Sequence, residues 1–218
     1  MLRNIDLSEI SDGKLYDAND MVKADCKGCE GCSACCRGMG KSIILDPLDV
    51  HRLTTGLGVP FEALLSQHIE LNVVDGLILP NLKMTESADA CPFLNAQGRC
   101  SIHAYRPGIC RLFPLGRFYE NDSFRYFLQV HECPKPSKAK IKVYKWLDTD
   151  DIRTYEQFIS DWHYFLKALQ ERIAGMEDQA QIRSTCMYVL QQFYLAPCED
   201  FYEAFHGRLD EAKRYFEM

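Results

Sequence analysis

The sequence predicts an α+β protein: a small cysteine-rich portion built of short hairpins and helices, residues 26–147, followed by a helical C-terminal extension, residues 148–218, and preceded by an acidic leader, residues 1–25. Three observations carry this prediction. Up to residue 147 the apolar runs are short and separated by Gly, Pro, Asn and Asp, as in hairpins and short helices. Beyond Asp150 the apolar residues recur with the helical period. Of the eleven cysteines, nine fall between Cys26 and Cys133.

The elements follow in order. The leader carries Asp6, Glu9, Asp12, Asp17 and Asp20 where a secretory signal needs a basic start and an apolar core. After the first cysteine run, KSIILDPLDVHRL reads as a short strand and then a helix, with Asp46 as N-cap, Pro47 in the first helical position and Asp49 adding negative charge to the first turn. A second helix is expected from Pro60 through Leu71 on the pattern Phe61, Leu64, Leu65, His68, Ile69. NVVDGLILP places Asp75-Gly76 between two apolar runs, a two-residue hairpin signal.

The block from Lys83 to Pro114 is irregular and rich in turn residues, so its order is expected to depend on metal ligation. Within it, Asn95 to Gly98 reads as a turn that returns Cys100 toward Cys91. LGRFYENDSFRYFLQVHEC reads as two strands joined at Glu120 to Ser123. With Tyr119 opposite Phe124, the register continued backwards sets Cys110 opposite Cys133. The lysine-rich KPSKAKIKVYK reads as a solvated edge strand or linker. Ile152, Tyr155, Phe158, Ile159, Trp162, Phe165, Leu166, Leu169 and Ile173 then mark an amphipathic helix ending near Gly175, whose aromatic stripe packs inward. Two further helical stretches, Ala180 to Leu195 and Glu199 to Phe216, are broken at Ala196-Pro197.

Composition excludes several classes. A net charge of −6 and a pI near 5.5 argue against a nucleic-acid surface. No apolar run approaches the roughly 18 residues needed to cross a bilayer. A soluble, cytoplasmic protein is expected, and a reducing compartment disfavours reading an odd number of cysteines as disulfides.

The thiols form two sets. CKGCEGCSACC, from Cys26 to Cys36, repeats cysteine at every third position and adds one more. Two thiolates two residues apart reach one metal because the intervening turn points both sulfurs to one side, and Gly28 and Gly31 permit the tight backbone. Cys91, Cys100, Cys110 and Cys133 make the second set. Two four-thiolate centres, or one centre of several metals, account for eight of these nine thiols, with Cys26 the surplus. His103 and His131 stand near cysteines as outer-shell candidates, and Arg37, Arg106 and Arg111 can offset thiolate charge. Cys186 and Cys198 lie on helical faces and read as packing residues.

Together CEGCSACCR, ILDPLDVHRL and CPFLNAQGRCSIHAYRPGICRLFP closely resemble the cysteine-cluster family of zinc- or iron-chelating domains, which is related through these motifs to flagellin lysine N-methylase. The match spans about residues 26 to 134. Carried over position by position, the resemblance implies metal ligands at Cys29, Cys32, Cys35, Cys36, Cys91, Cys100, Cys110 and Cys133. The family often has Tyr where His103 stands, which weakens His103 as a ligand. An iron-sulfur cluster of the 4Fe-4S type is favoured because the ligands are nearly all cysteine and the first run is ferredoxin-like, a preference the methylase relative shares; zinc is the alternative. Three functions are compatible: a metal-binding protein whose centre is redox-active or structural, a cluster-dependent protein lysine methyltransferase, or a zinc-stabilised module whose C-terminal helices dock a protein partner. Against the methyltransferase stands the lack of a Gly-rich turn after a strand of the kind that cradles a nucleotide-like cofactor.

Overall fold

The structure, a computed structural model, describes residues 6–26 and 32–218, the side chain of Ser66 excepted. Its elements are α1 (Leu7–Ile10), β1 (Ser11–Tyr16), β2 (Met21–Asp25), α2 (Pro47–Leu57), α3 (Phe61–Gln67), β3 (Ile69–Val74), β4 (Leu77–Leu82), α4 (Gly108–Leu112), β5 (Leu115–Glu120), β6 (Ser123–Gln129), β7 (Ala139–Lys142), α5 (Val143–Leu147), α6 (Ile152–Ala174), α7 (Gln179–Val189) and α8 (Phe201–Tyr215). The fold class is α+β, as the sequence predicts. Three small antiparallel sheets carry the strand orders β1-β6-β5, β2-β7 and β3-β4.

Turn chemistry sets two of these registers. Asp75 and Gly76 both adopt positive φ, so β3 and β4 meet in a two-residue turn with Val74 opposite Leu77 and Ile69 opposite Leu82. Asn121 and Asp122 do the same between β5 and β6, and Tyr119 lies opposite Phe124 as expected. The acidic leader contributes two strands, β1 against β6 and β2 against β7. The lysine-rich segment is therefore the partner of β2, and it runs into α5, whose Val143 and Leu147 are buried.

Three local expectations are corrected. KSII forms no strand of its own; Ile44 makes an isolated bridge to Asn81. The second helix ends at Gln67, because Ile69 is drawn into the hairpin ladder with β4, where alternation outcompetes the helical period. Cys110 is not opposite Cys133: the ladder of β5 and β6 starts at Leu115, and Cys110 stands on α4.

The helix from Ile152 matches its expected span, and Asp151 caps it by accepting from the Arg153 and Thr154 N–H groups. Tyr155, Phe158, Trp162 and Phe165 are all buried. After α7 the chain continues as a π-helical turn, Leu190–Leu195, that sends Phe193 and Tyr194 inward. Phe158, Trp162, Phe193 and Phe205 pack with ring centroids 4.7–6.2 Å apart. One continuous core joins this cluster to Leu45, Leu53, Phe93, Ile102 and Leu115 of the cysteine-bearing portion. Among the described residues no helix is long and apolar enough to cross a membrane.

Candidate metal centre

The first cysteine run is described at Cys26, which is buried, and again from Cys32, where it tightens into a 3-10 turn, Ala34–Cys36. Arg37 bridges to Ala90, and the Cys91 N–H donates to the Cys36 carbonyl at 2.8 Å, so the two cysteine sets are joined by backbone at this point. Beyond Cys91 the Asn95 side chain accepts from the Gln97 and Arg99 N–H groups at 3.1 and 2.9 Å. That turn brings Cys100 back to bridge with Leu94, as its sequence implies. Phe93 and Ile102 anchor the loop in the core, and the Ser101 N–H donates to the Phe93 carbonyl at 2.8 Å. Protein contacts therefore supply part of the order expected from ligation.

Helix α4 delivers the next thiol. Its first residue, Gly108, donates its N–H to Asp49 Oδ1 at 2.6 Å. Asp49 belongs to a capping box at the start of α2: its N–H donates to Asp46 Oδ1 at 2.8 Å and its Oδ2 accepts from the Asp46 N–H at 3.2 Å. Burial and the neighbouring Asp46 push Asp49 up to about 8. Next to Cys110, Arg111 is buried and donates to the Leu147 and Asp148 carbonyls at 3.4 and 3.1 Å, with its guanidinium 5.5 Å from the Tyr155 ring centroid. Arg117 donates to the Tyr155 hydroxyl at 2.7 Å.

Cys35, Cys36, Cys91, Cys100 and Cys110 lie within one another's electrostatic reach. A side-chain hydrogen bond between Cys35 and Cys36 raises the Cys35 pKa and lowers that of Cys36. Burial raises Cys91, Cys100 and Cys110, and the charges of neighbouring thiolates add to it. The Arg106 guanidinium, which also meets the His103 ring, acts in the opposite sense on Cys35 and Cys100. Crowded thiolates without a cation are costly, and a metal ion relieves that cost by replacing their protons. The donor chemistry fits a thiophilic metal.

The remaining positions differ. Cys29 lies outside the described residues. Cys32 stands on the approach to the Ala34–Cys36 turn, and Cys133 lies on the loop between β6 and β7, where its carbonyl accepts from Lys138 Nζ at 3.0 Å. Among the described residues no three His, Cys, Asp or Glu side chains already stand in a metal-holding arrangement. Cys186 is a packing residue, buried with its thiol directed at the Gly76 carbonyl at 3.7 Å. In the sequence Asp49, Arg111 and Arg117 are legible only as a first-turn charge, a flanking charge and a strand residue, since their partners are distant along the chain.

An α+β fold that gathers thiols from two separated runs beside a buried carboxylate and guanidinium defines a cysteine-cluster protein. A family model, CxxCxxCC, described as "Putative zinc- or iron-chelating domain", matches residues 28–143, and the chain belongs to this family. Searches of curated proteins and of solved structures found no match.

Proposed function

We propose that this protein holds an iron-sulfur cluster at one centre built from both cysteine runs, in a reducing cytoplasm. Cys35, Cys36, Cys91, Cys100 and Cys110 supply its nucleus of ligands, with Cys29, Cys32 and Cys133 as the outer candidates that the family pattern adds. The single observation that supports the reading is the backbone contact between the two runs, the Cys91 N–H to the Cys36 carbonyl at 2.8 Å, around which Cys35, Cys36, Cys91, Cys100 and Cys110 lie within one another's electrostatic reach. When bound, such a cluster supplies one-electron chemistry or a structural clamp. The protein's own contribution is to bring the thiols together, offset their charge with Arg106, and fix Cys110 through the Asp49 contact to Gly108.

The test is iron, zinc and acid-labile sulfide per chain in protein purified without oxygen, read with the visible spectrum. Iron and sulfide in similar amounts, with bleaching by dithionite, support the cluster. Zinc alone in colourless protein overturns it and leaves the thiols a structural role.

A second reading, chemistry on a substrate beside the centre, is favoured by one observation. A cleft of about 660 Å³ is lined by Asp46, Asp49, Ile109, Arg117, Tyr119 and Trp162, among others, and so adjoins the helix that bears Cys110. Its volume suits a small organic molecule. Calorimetry with S-adenosylmethionine tests the methyltransferase form of this reading; no heat at millimolar ligand rejects it.

A further inference from the structure

Away from the centre, a second cavity of about 270 Å³ opens between α2, the chain after the π-helical turn and α8, lined in part by His51, Thr54, Glu62, Cys198 and Arg208. Cys198 Sγ lies 3.6 Å from His51 Nδ1, within hydrogen-bond range for sulfur. The imidazole also packs on the Phe201 ring, with centroids 5.4 Å apart. Burial and the Arg208 charge lower the His51 pKa, which favours the uncharged ring. Arg208 donates to the Pro197 carbonyl at 2.7 Å, which fixes its guanidinium beside the residue preceding Cys198. Cys186 offers the contrast: it is buried, its neighbour is a carbonyl rather than a base, and it lines neither cavity described here.

A thiol, an imidazole in reach of its proton and a cation at the rim of an open cavity are the parts of an activated sulfur nucleophile. We propose that Cys198 and His51 form a thiol–imidazole pair that exchanges with low-molecular-weight disulfides bearing a carboxylate. The Cys198 proton passes to His51 Nδ1 and the sulfur attacks one sulfur of the disulfide. A new Sγ–S bond forms as the original S–S bond breaks, and the departing thiolate takes the proton from the imidazolium. The disulfide is the only oxidant, and the products are a mixed disulfide on Cys198 and one free thiol. Arg208 meets the carboxylate of the incoming molecule, which directs it to this cavity.

Oxidised glutathione is the probe, added to the full-length, metal-loaded protein, with the modified cysteines identified by peptide mass spectrometry. Cys198 should be modified faster than an unstructured cysteine peptide at the same pH, while Cys186 stays unmodified. His51→Gln should slow modification of Cys198 by about tenfold or more, as expected for loss of an acid–base partner, with circular dichroism unchanged. Modification no faster than in the peptide overturns the proposal without any variant, as does an equal rate in a folded His51→Gln protein. Should His51→Gln fail to fold, the wild-type comparison with the peptide decides.

Discussion

Gly108 donates its backbone N–H to the Asp49 carboxylate at 2.6 Å, and this one bond ties α2 to the short helix that carries Cys110. Because the contact is buried, removing the acceptor strands an N–H group away from water. Asp49→Ala should cost about 1–3 kcal/mol in urea or thermal unfolding and lower the bound metal per chain. Asp49→Asn keeps an oxygen acceptor in place and should retain most of both. Equal metal content in the Ala variant would show that Cys110 is positioned without this contact.

The same carboxylate makes stability depend on pH. Its folded value is about 8, whereas an unfolded aspartate titrates near ~3.9. Between these values the folded chain holds a proton that the unfolded chain has released, so the Asp49 contribution falls as pH rises through that window and is constant above it. The melting temperature of the wild type relative to Asp49→Asn should therefore decline from acid toward about pH 8 and then level off. A difference that stays flat across the range would sink this account.

Thiol position separates the candidate ligands from packing residues. Cys36→Ala removes the sulfur that is hydrogen-bonded to Cys35 and lies within the electrostatic reach of Cys91, Cys100 and Cys110, and should sharply reduce metal and lower the melting temperature. Cys186→Ala should leave metal content unchanged and cost on the order of 1 kcal/mol through lost apolar contact. Elemental analysis of both variants, purified together without oxygen, makes the comparison.

Gly56 is pressed against the loop that presents Cys100. A Cβ there would lie 2.5 Å from Tyr105 Cγ, so the ring must move. Gly56→Ala should destabilise the protein by about 1–3 kcal/mol through overpacking, despite the better helix propensity of Ala. Stability unchanged or increased in chemical denaturation would mean that the His103–Tyr105 turn yields freely.

Trp162 is 6% exposed and packs on Phe165, Phe193, Tyr194 and Phe205. Trp162→Ala should cost about 3–5 kcal/mol, the range for a buried aromatic, and any change of oligomeric state should follow unfolding rather than precede it. Loss of a dimer with the fold intact, seen by sedimentation together with circular dichroism, would instead make the stripe an interface.

By itself the sequence determined the features that nearest neighbours along the chain decide. Asp75-Gly76 and Asn121-Asp122 specify tight turns and hence two registers, Asp46 and Pro47 start a helix, and the aromatic stripe of α6 marks its buried face, because each depends on local backbone conformation or a short period. The cysteine spacings likewise suffice for membership of a zinc- or iron-chelating family. Only the tertiary structure decided that Cys35 and Cys36 come within electrostatic reach of Cys91, Cys100 and Cys110, that Cys110 rides on a helix, and that Asp49 holds that helix across 59 residues. Contacts of that range arise when burial brings distant segments together, and a buried donor then takes whichever acceptor the packing supplies; no local pattern in the chain encodes that choice.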